Sequence, residues 1–226
     1  MTLSTLEEHL ANAHALLARR LGDGFLLRDN PAHGFHRLRP HGEESISFTW
    51  TTKHLPFFNA YLNVHVRYTA AQALIERTEV LRPEFGVGVM HNSAAILSAR
   101  RLPSYVGWRH RIAWTLRRPP VLFPSALERP VEHVVDVFEG IARAALLPFL
   151  EHFSSIEAAR ESLEREDGGT LGLDRIGALV AIDAHLRDKA HLASLRRSMV
   201  KEHERRRFDT CLSKVVAHLP DLALDA

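Results

Sequence analysis

Apolar residues recur along this chain with two different periods. Near the N-terminus, Leu6, Leu10, Ala13 and Leu17 fall every three or four positions, the spacing of one helical face. Ser4 and Glu7 stand three apart at its start. That is a capping box, in which each side chain satisfies the other residue's free N–H. Gly22-Asp23-Gly24 stops this helix, because glycine tolerates the left-handed conformation at a helix end. The apolar piece Phe25 to Leu27 and the turn signal Asp29-Asn30-Pro31 follow.

The period then changes to two. Gly34 to Arg39 reads as a short strand. In Ser45 to Thr52, Ile46, Phe48 and Trp50 alternate with serine and threonine, the pattern of a half-buried strand. Tyr61 to Thr69 repeats it, with Leu62, Val64, Val66 and Tyr68 on one face and Asn63, His65 and Arg67 on the other. His41-Gly42-Glu43-Glu44 is the expected hairpin turn, and Pro56 punctuates the longer second connection. One-faced alternation suits an antiparallel sheet covered on one side.

Ala70 to Leu81 reads as a short helix ended before Pro83. Val87 to Met90 and Arg111 to Leu116 are further strand candidates, and Pro119, Pro120 and Pro124 mark a loop. A long helix starts near Val131, with Val131, Val134, Val135, Phe138, Ile141, Ala142 and Ala145 as a wide apolar stripe. Pro148 should end or kink it. Ser154 with Glu157 forms a second capping box before a polar helix to about Glu166. Asp167-Gly168-Gly169 through Gly172 is the clearest linker. Leu173 to Leu186 and Lys189 to Leu219 are helical, the second changing phase near Arg205-Arg206-Arg207. The expected fold is α+β: an antiparallel sheet of four to six strands on helices, with an all-helical extension. The expected domains are residues 1–166 and 173–226, joined by 167–172.

Composition narrows the class. In 226 residues, 29 Lys and Arg stand against 27 Asp and Glu, with 15 His and one Cys. Cys211 alone excludes an intramolecular disulfide and a Cys-rich zinc site, and points to a reducing compartment. The longest strongly apolar run, Ala144 to Leu150, is far short of the roughly 20 residues of a membrane span. The N-terminus carries Glu7 and Glu8 and no basic region, unlike a secretory signal. The expectation is a cytoplasmic protein with no cofactor.

The net charge of +2 hides segregation. Residues 85–127 hold Arg100, Arg101, Arg109, Arg111, Arg117 and Arg118 and no acid. Residues 128–172 hold ten acids and four cations, net −6. Tyr105, Trp108, His110 and Trp114 interleave the arginines. Guanidinium forks bind carboxylates and phosphates, and aromatic rings stack on bases. The block can therefore meet an acidic protein, a nucleic acid, or the acids Glu132, Asp136 and Glu139 of the next helix. A net charge of +2 is small for a dedicated nucleic-acid domain, which places the protein partner and internal pairing first. The stretch Arg196, Arg197, Lys201, Arg205, Arg206 and Arg207 is diluted by Glu202, Glu204 and Asp209, as in a solvated helix face.

Catalytic patterns are sparse. There is no HExxH, no G-x-S-x-G elbow and no P-loop, and Gly86 and Gly88 lack the third glycine of a dinucleotide fingerprint. His9 with His14, and His185 with His191, are spaced off a shared helical face. His33, His36 and His41 lack supporting acids, so solvated or hydrogen-bonded histidines are expected. Glu43 and Glu44, in a turn, would be solvated. An enzyme site assembled from Asn63, His65 and Arg67 remains an alternative.

Several short pieces carry a family likeness: Gly24-Phe25, Phe35-His36-Arg37-Leu38, Phe48-Thr49-Trp50, Phe58-Asn59-Ala60-Tyr61-Leu62-Asn63-Val64, Gly107-Trp108 and Pro148-Phe149-Leu150. Over about residues 5–165 the order of elements resembles an uncharacterised family of small bacterial α+β domains. The resemblance implies association with toxin–immunity loci and a binding module that neutralises a cognate toxin. It transfers no catalytic residues. The expectation is thus a non-enzymatic protein-binding module whose contact residues are Tyr105, Trp108, Arg109, Arg111 and Trp114, since interface hot spots favour Arg, Trp and Tyr. A nucleic-acid-binding regulator using residues 100–118 is the alternative.

Overall fold

The computed structural model describes residues 3–30, 33–54, 57–81, 88–92, 123–165 and 174–224. The fold is α+β. Helix α1 (Leu3–Leu21) leads into β1 (Leu26–Leu27), β2 (Phe35–Arg39), β3 (Gly42–His54) and β4 (Phe57–Tyr68). Helix α2 (Thr69–Thr78), β5 (Gly88–Asn92) and β6 (Phe123–Ala126) follow. The strands form one six-stranded sheet in the order β1-β2-β3-β4-β5, with β6 also paired to β4. The rest is helical: α3 (Val131–Ile141), a π-helical turn (Ala142–Leu146), α4 (Leu147–His152), α5 (Ile156–Arg165), α6 (Arg175–Leu186), α7 (Lys189–Ser198), α8 (Glu202–Val216) and a 3-10 turn (Pro220–Leu222). None of the described helices is long and apolar enough to cross a membrane.

The chain divides into two compact units, Met1–Val66 with Met90–Ser154, and Arg67–Val89 with Ser155–Ala226. The expected domains were drawn consecutively along the chain, whereas these units interleave it. The expected linker 167–172 lies outside the described residues, as do the strand candidate Arg111 to Leu116 and the prolines Pro56, Pro119 and Pro120.

In the first unit the two periods meet. Leu6, Leu10, Ala13 and Leu17 of α1 are fully buried, and α1 packs on α3, β2 and β3. Phe58, Ala60, Leu62, Val64 and Val66 of β4 are buried at alternate positions, as the pattern requires. Ile46 and Phe48 of β3 join them, and the Phe48 ring meets Phe138 of α3 edge-on at 4.8 Å between centroids. His14, also fully buried, lies on the same side of α1. Its Nε2 accepts a hydrogen bond from the Phe48 N–H at 2.8 Å. The β2–β3 register ends at Phe35 opposite Ile46, and His14 supplies an acceptor for the backbone just beyond that end.

Strand β2 departs from the simple rule. Phe35 and Arg37 point into the protein while Leu38 is 74% exposed. The pleat imposes period two regardless of side-chain type, so a charged residue goes inward once Phe35 sets the phase. Gly34 makes this docking possible. Its φ is +103°, and a Cβ there would lie 2.4 Å from the Ile46 carbonyl oxygen.

The boundaries show further differences. Ser4 lies inside α1 rather than ahead of it. The hairpin turn is Pro40-His41, one step earlier than expected, so Gly42 and both glutamates belong to β3. Pro124 sits in β6, a short strand against Asn59, where an edge tolerates a missing N–H. Pro148 does not end its helix. The Leu147 N–H donates five residues back to the Ala142 carbonyl, and this widened turn accommodates the proline ring. The α5 cap is Ser155, whose Oγ accepts from the Ala158 N–H at 3.2 Å, one residue after the expected Ser154. The helical break in the C-terminal part falls at Met199 to Lys201, ahead of the arginine triplet.

In the second unit α6 is central. Gly177 to Ala184 are buried without interruption, and α2, α5, α7 and α8 pack on this helix. Asp174 caps it, accepting from the Gly177 N–H at 3.0 Å.

Gly34→Ala is expected to lower the stability by at least about 2 kcal/mol, since both the φ and the Cβ position are forbidden. Urea denaturation measures it; an unchanged midpoint would contradict the docking described for β2.

Candidate functional site

The residues expected to form the interface, Tyr105, Trp108, Arg109, Arg111 and Trp114, lie outside the described residues. Asn63, His65 and Arg67 line the half-buried face of β4, opposite the core. Asn63 Nδ2 donates to Thr49 Oγ1 on β3, tying the polar sides of the two strands together.

The described polar side chains gather in two places instead. One lies in the first unit, at the end of α1 and the β2–β3 hairpin. Arg37 is 7% exposed and Glu44 only 2%. Arg37 Nε donates to Glu44 Oε2 at 2.5 Å, and its Nη1 donates to Asp23. The guanidinium carbon stands 4.4 Å from the centre of the Phe25 ring, a cation–π contact. His41 Nε2 lies 3.0 Å from the other Glu44 oxygen. Arg39 donates to Asp23 at 2.7 Å, and this bond, with Arg37, holds the Asp23 carboxyl below its ordinary range.

Glu44 is thus neither in a turn nor solvated. It comes inward because β3 begins at Gly42, inside the expected turn, so that Glu44 is a strand residue in phase with Ile46 and Phe48. These groups open onto a cleft of about 430 Å3, closed on the other side by Leu147, Leu150, Glu151 and Ser154. The π-helical turn sets the phase of that wall. A second cleft of about 430 Å3 lies between α1 and α3, lined by Asn12, Leu16, Arg19 and Glu132 among others. Neither cleft includes Asn63, His65 or Arg67.

The second gathering is in the second unit. Asp183 is fully buried within α6. Its Oδ1 accepts from Arg160 at 3.2 Å, and its Oδ2 lies 2.7 Å from His191 Nδ1. Arg160 also donates to Asp188 at 2.9 Å. Burial pushes the Asp183 carboxyl up, against the opposing pull of His191 and Arg160. The fully buried Cys211 has its thiol pushed up by burial, which disfavours the reactive thiolate.

In chemical terms both gatherings are self-satisfied. One Glu44 oxygen faces the Arg37 guanidinium and the other the His41 ring, and both His191 ring nitrogens face carboxylates, the second being Glu164 at 2.7 Å from Nε2. A general base needs a free lone pair directed at substrate, and these groups direct theirs at each other. Among the described residues no group of three or more His, Cys, Asp and Glu is arranged to hold a metal ion. Sequence reasoning missed both gatherings. The one available signal was Asp183, a lone acid inside the otherwise apolar run from Ala178 to Ala184.

Two acids downstream of the basic segment, Asp136 and Glu139, also have partners among the described residues. Arg20 Nη1 donates to Asp136 at 2.5 Å and to Glu139 at 3.3 Å, and Arg143 donates to Glu139 at 2.9 Å. Arg143 and Arg20 together hold the Glu139 carboxyl below its ordinary range. Comparison of the chain with protein-family models, with curated proteins and with solved structures finds no match.

Two predictions follow from these geometries. Removing one partner of a buried pair strands the other, so Arg37→Ala and Glu44→Ala are each expected to cost about 3–5 kcal/mol. The Arg37→Ala/Glu44→Ala double variant should lose clearly less than the two single losses added. Additive losses in a urea double-mutant cycle would show that the pair does not act as a unit. The second concerns acid. Burial holds His9 below the ordinary histidine range, so the unfolded chain takes up this proton first. The His9 contribution is complete above about pH 6.5 and is lost as pH falls towards its lower folded value. His9→Leu should therefore flatten the fall in urea midpoint between about pH 7 and pH 5. An identical slope in both proteins would refute this.

Proposed function

We propose that the protein is a non-enzymatic binding module for an acidic protein surface, with the arginine- and tryptophan-containing segment 100–118 as its contact region. The observation that carries this reading is the placement of the downstream acids. Asp136 and Glu139, with Glu132, were the internal candidates for neutralising that segment, and the described ion pairs of the first two are with Arg20 and Arg143. Glu161 pairs with Arg165 and Glu164 faces His191. Among the described residues these acids already have partners, which supports an outside partner for the arginines. The self-satisfied polar clusters favour binding over acid–base chemistry in the same sense.

Within this reading, Trp108, Arg109, Arg111 and Trp114 form the energetic centre, with Tyr105 beside them. The guanidinium groups pair with carboxylates of the partner, and the indoles exclude water from those pairs. An immunity protein that occludes a cognate toxin fits this description, and the toxin would then present an acidic site. A basic nuclease would be repelled by the same patch.

The test begins with co-purification of the product of the adjacent gene, followed by titration of the purified pair. Arg109→Glu and Trp108→Ala are each expected to weaken the complex at least about tenfold, the range of interface hot spots. A complex indifferent to both substitutions would reject the contact region. Tight, steeply salt-dependent binding to a generic DNA duplex would replace the protein-binding reading with a nucleic-acid one.

A further inference from the structure

Helix α7 is held by polar groups to an unusual degree. Its buried residues are Leu192 and Leu195, a small apolar contribution for a helix of ten residues. At its start, Asp188 accepts from the His191 N–H at 2.9 Å and also takes the Arg160 bond. The His191 ring then joins three helices. Nδ1 lies 2.7 Å from Asp183 of α6, and Nε2 lies 2.7 Å from Glu164 of α5. Further along α7, Arg196 donates to Asp209 of α8 at 2.9 Å.

The ring geometry has a chemical requirement. An ionised carboxylate only accepts hydrogen bonds, so two carboxylates at 2.7 Å demand an N–H at both ring nitrogens. Only the imidazolium has both. The charge count agrees. Asp183, Asp188 and Glu164 face Arg160 and His191, giving −1 with the ring charged and −2 with it neutral. Asp183 is fully buried, where an uncompensated charge is most unfavourable.

We propose that His191 is a protonation-dependent latch that docks α7 onto α5 and α6 and releases it as pH rises. With the proton present, the ring bridges Glu164 and Asp183. On its loss one nitrogen presents a lone pair to a carboxylate oxygen. That contact turns repulsive, and the helix is then retained by Leu192 and Leu195, the Asp188 cap and the Arg196–Asp209 pair without the ring. The bridge needs an N–H at both ring nitrogens, so it exists only while the ring carries its second proton. The latch is built from residues other than 100–118, so its failure would leave the proposed function untouched.

Amide hydrogen exchange on the whole protein tests it, with rates normalised to their intrinsic pH dependence. Between about pH 6 and pH 9, protection of the α7 amides is expected to fall at least about tenfold relative to those of α6. His191→Gln should lower α7 protection at pH 6 and abolish its pH dependence, and His185→Gln should leave both as in the wild type. Glu164→Gln removes one carboxylate from the ring and should move the transition to lower pH. Nitrogen NMR of the His191 ring in the wild type gives a reading that needs no variant: both nitrogens should be protonated at pH 6. A neutral ring at pH 6, or α7 protection that tracks α6 throughout, would overturn the latch.

Discussion

An amide in the interior must find an acceptor, and at Phe48 that acceptor is a histidine from another element. The β2–β3 register reaches only to Phe35 opposite Ile46. His14 of α1 takes the Phe48 N–H at 2.8 Å, and its ring lies 4.5 Å from the Phe48 ring and 6.1 Å from that of Phe35. A lone pair at Nε2 is needed for this bond, so this nitrogen carries no proton. The bond fixes α1 along β3, and through it the docking of α3, whose Phe138 packs on the other edge of Phe48. A leucine at position 14 would fill similar space but leave the N–H unsatisfied, a penalty of about 1–3 kcal/mol.

The same rule governs the charges. Arg37 enters the protein because the pleat sends it there, and it is tolerated because Glu44, Asp23 and the Phe25 ring receive it. Asp183 enters because α6 is surrounded, and Arg160 and His191 receive it. Each buried ion is paired, as low-dielectric surroundings demand. These pairs specify which elements meet. They also engage the groups that catalysis or metal binding would use, which is why the proposed function looks to the arginine segment and to a partner.

Legibility in the sequence followed the range of the interaction. The α1 stripe, the alternation in β3 and β4 and the α3 stripe were all readable, because each depends on neighbours within one element. Caps and turns slipped by one or two positions: Ser155 for Ser154, and Pro40-His41 for a turn at His41 to Glu44. The second slip mattered more, since it extended β3 back through Glu44, which shares the inward phase of Ile46 and Phe48, and so turned an expected solvated acid into a buried one. Pro148 was read as a break because an α-helix cannot hold it, whereas a π-helical turn can.

The chain alone settled the α+β class, the helix and strand periods, and the separation of a basic block from an acidic one, all of which are local in sequence or additive. Tertiary structure decided which polar residues go inside. His14 meets Phe48 across 34 positions, Arg160 meets Asp183 across 23, and Arg20 meets Asp136 across 116. No local period encodes such pairings, because they arise when packing of apolar faces carries polar side chains inward and leaves them to find partners there. The downstream acids illustrate the outcome: by sequence they were candidates for the neighbouring arginines, and in the folded chain Asp136 and Glu139 hold Arg20 and Arg143.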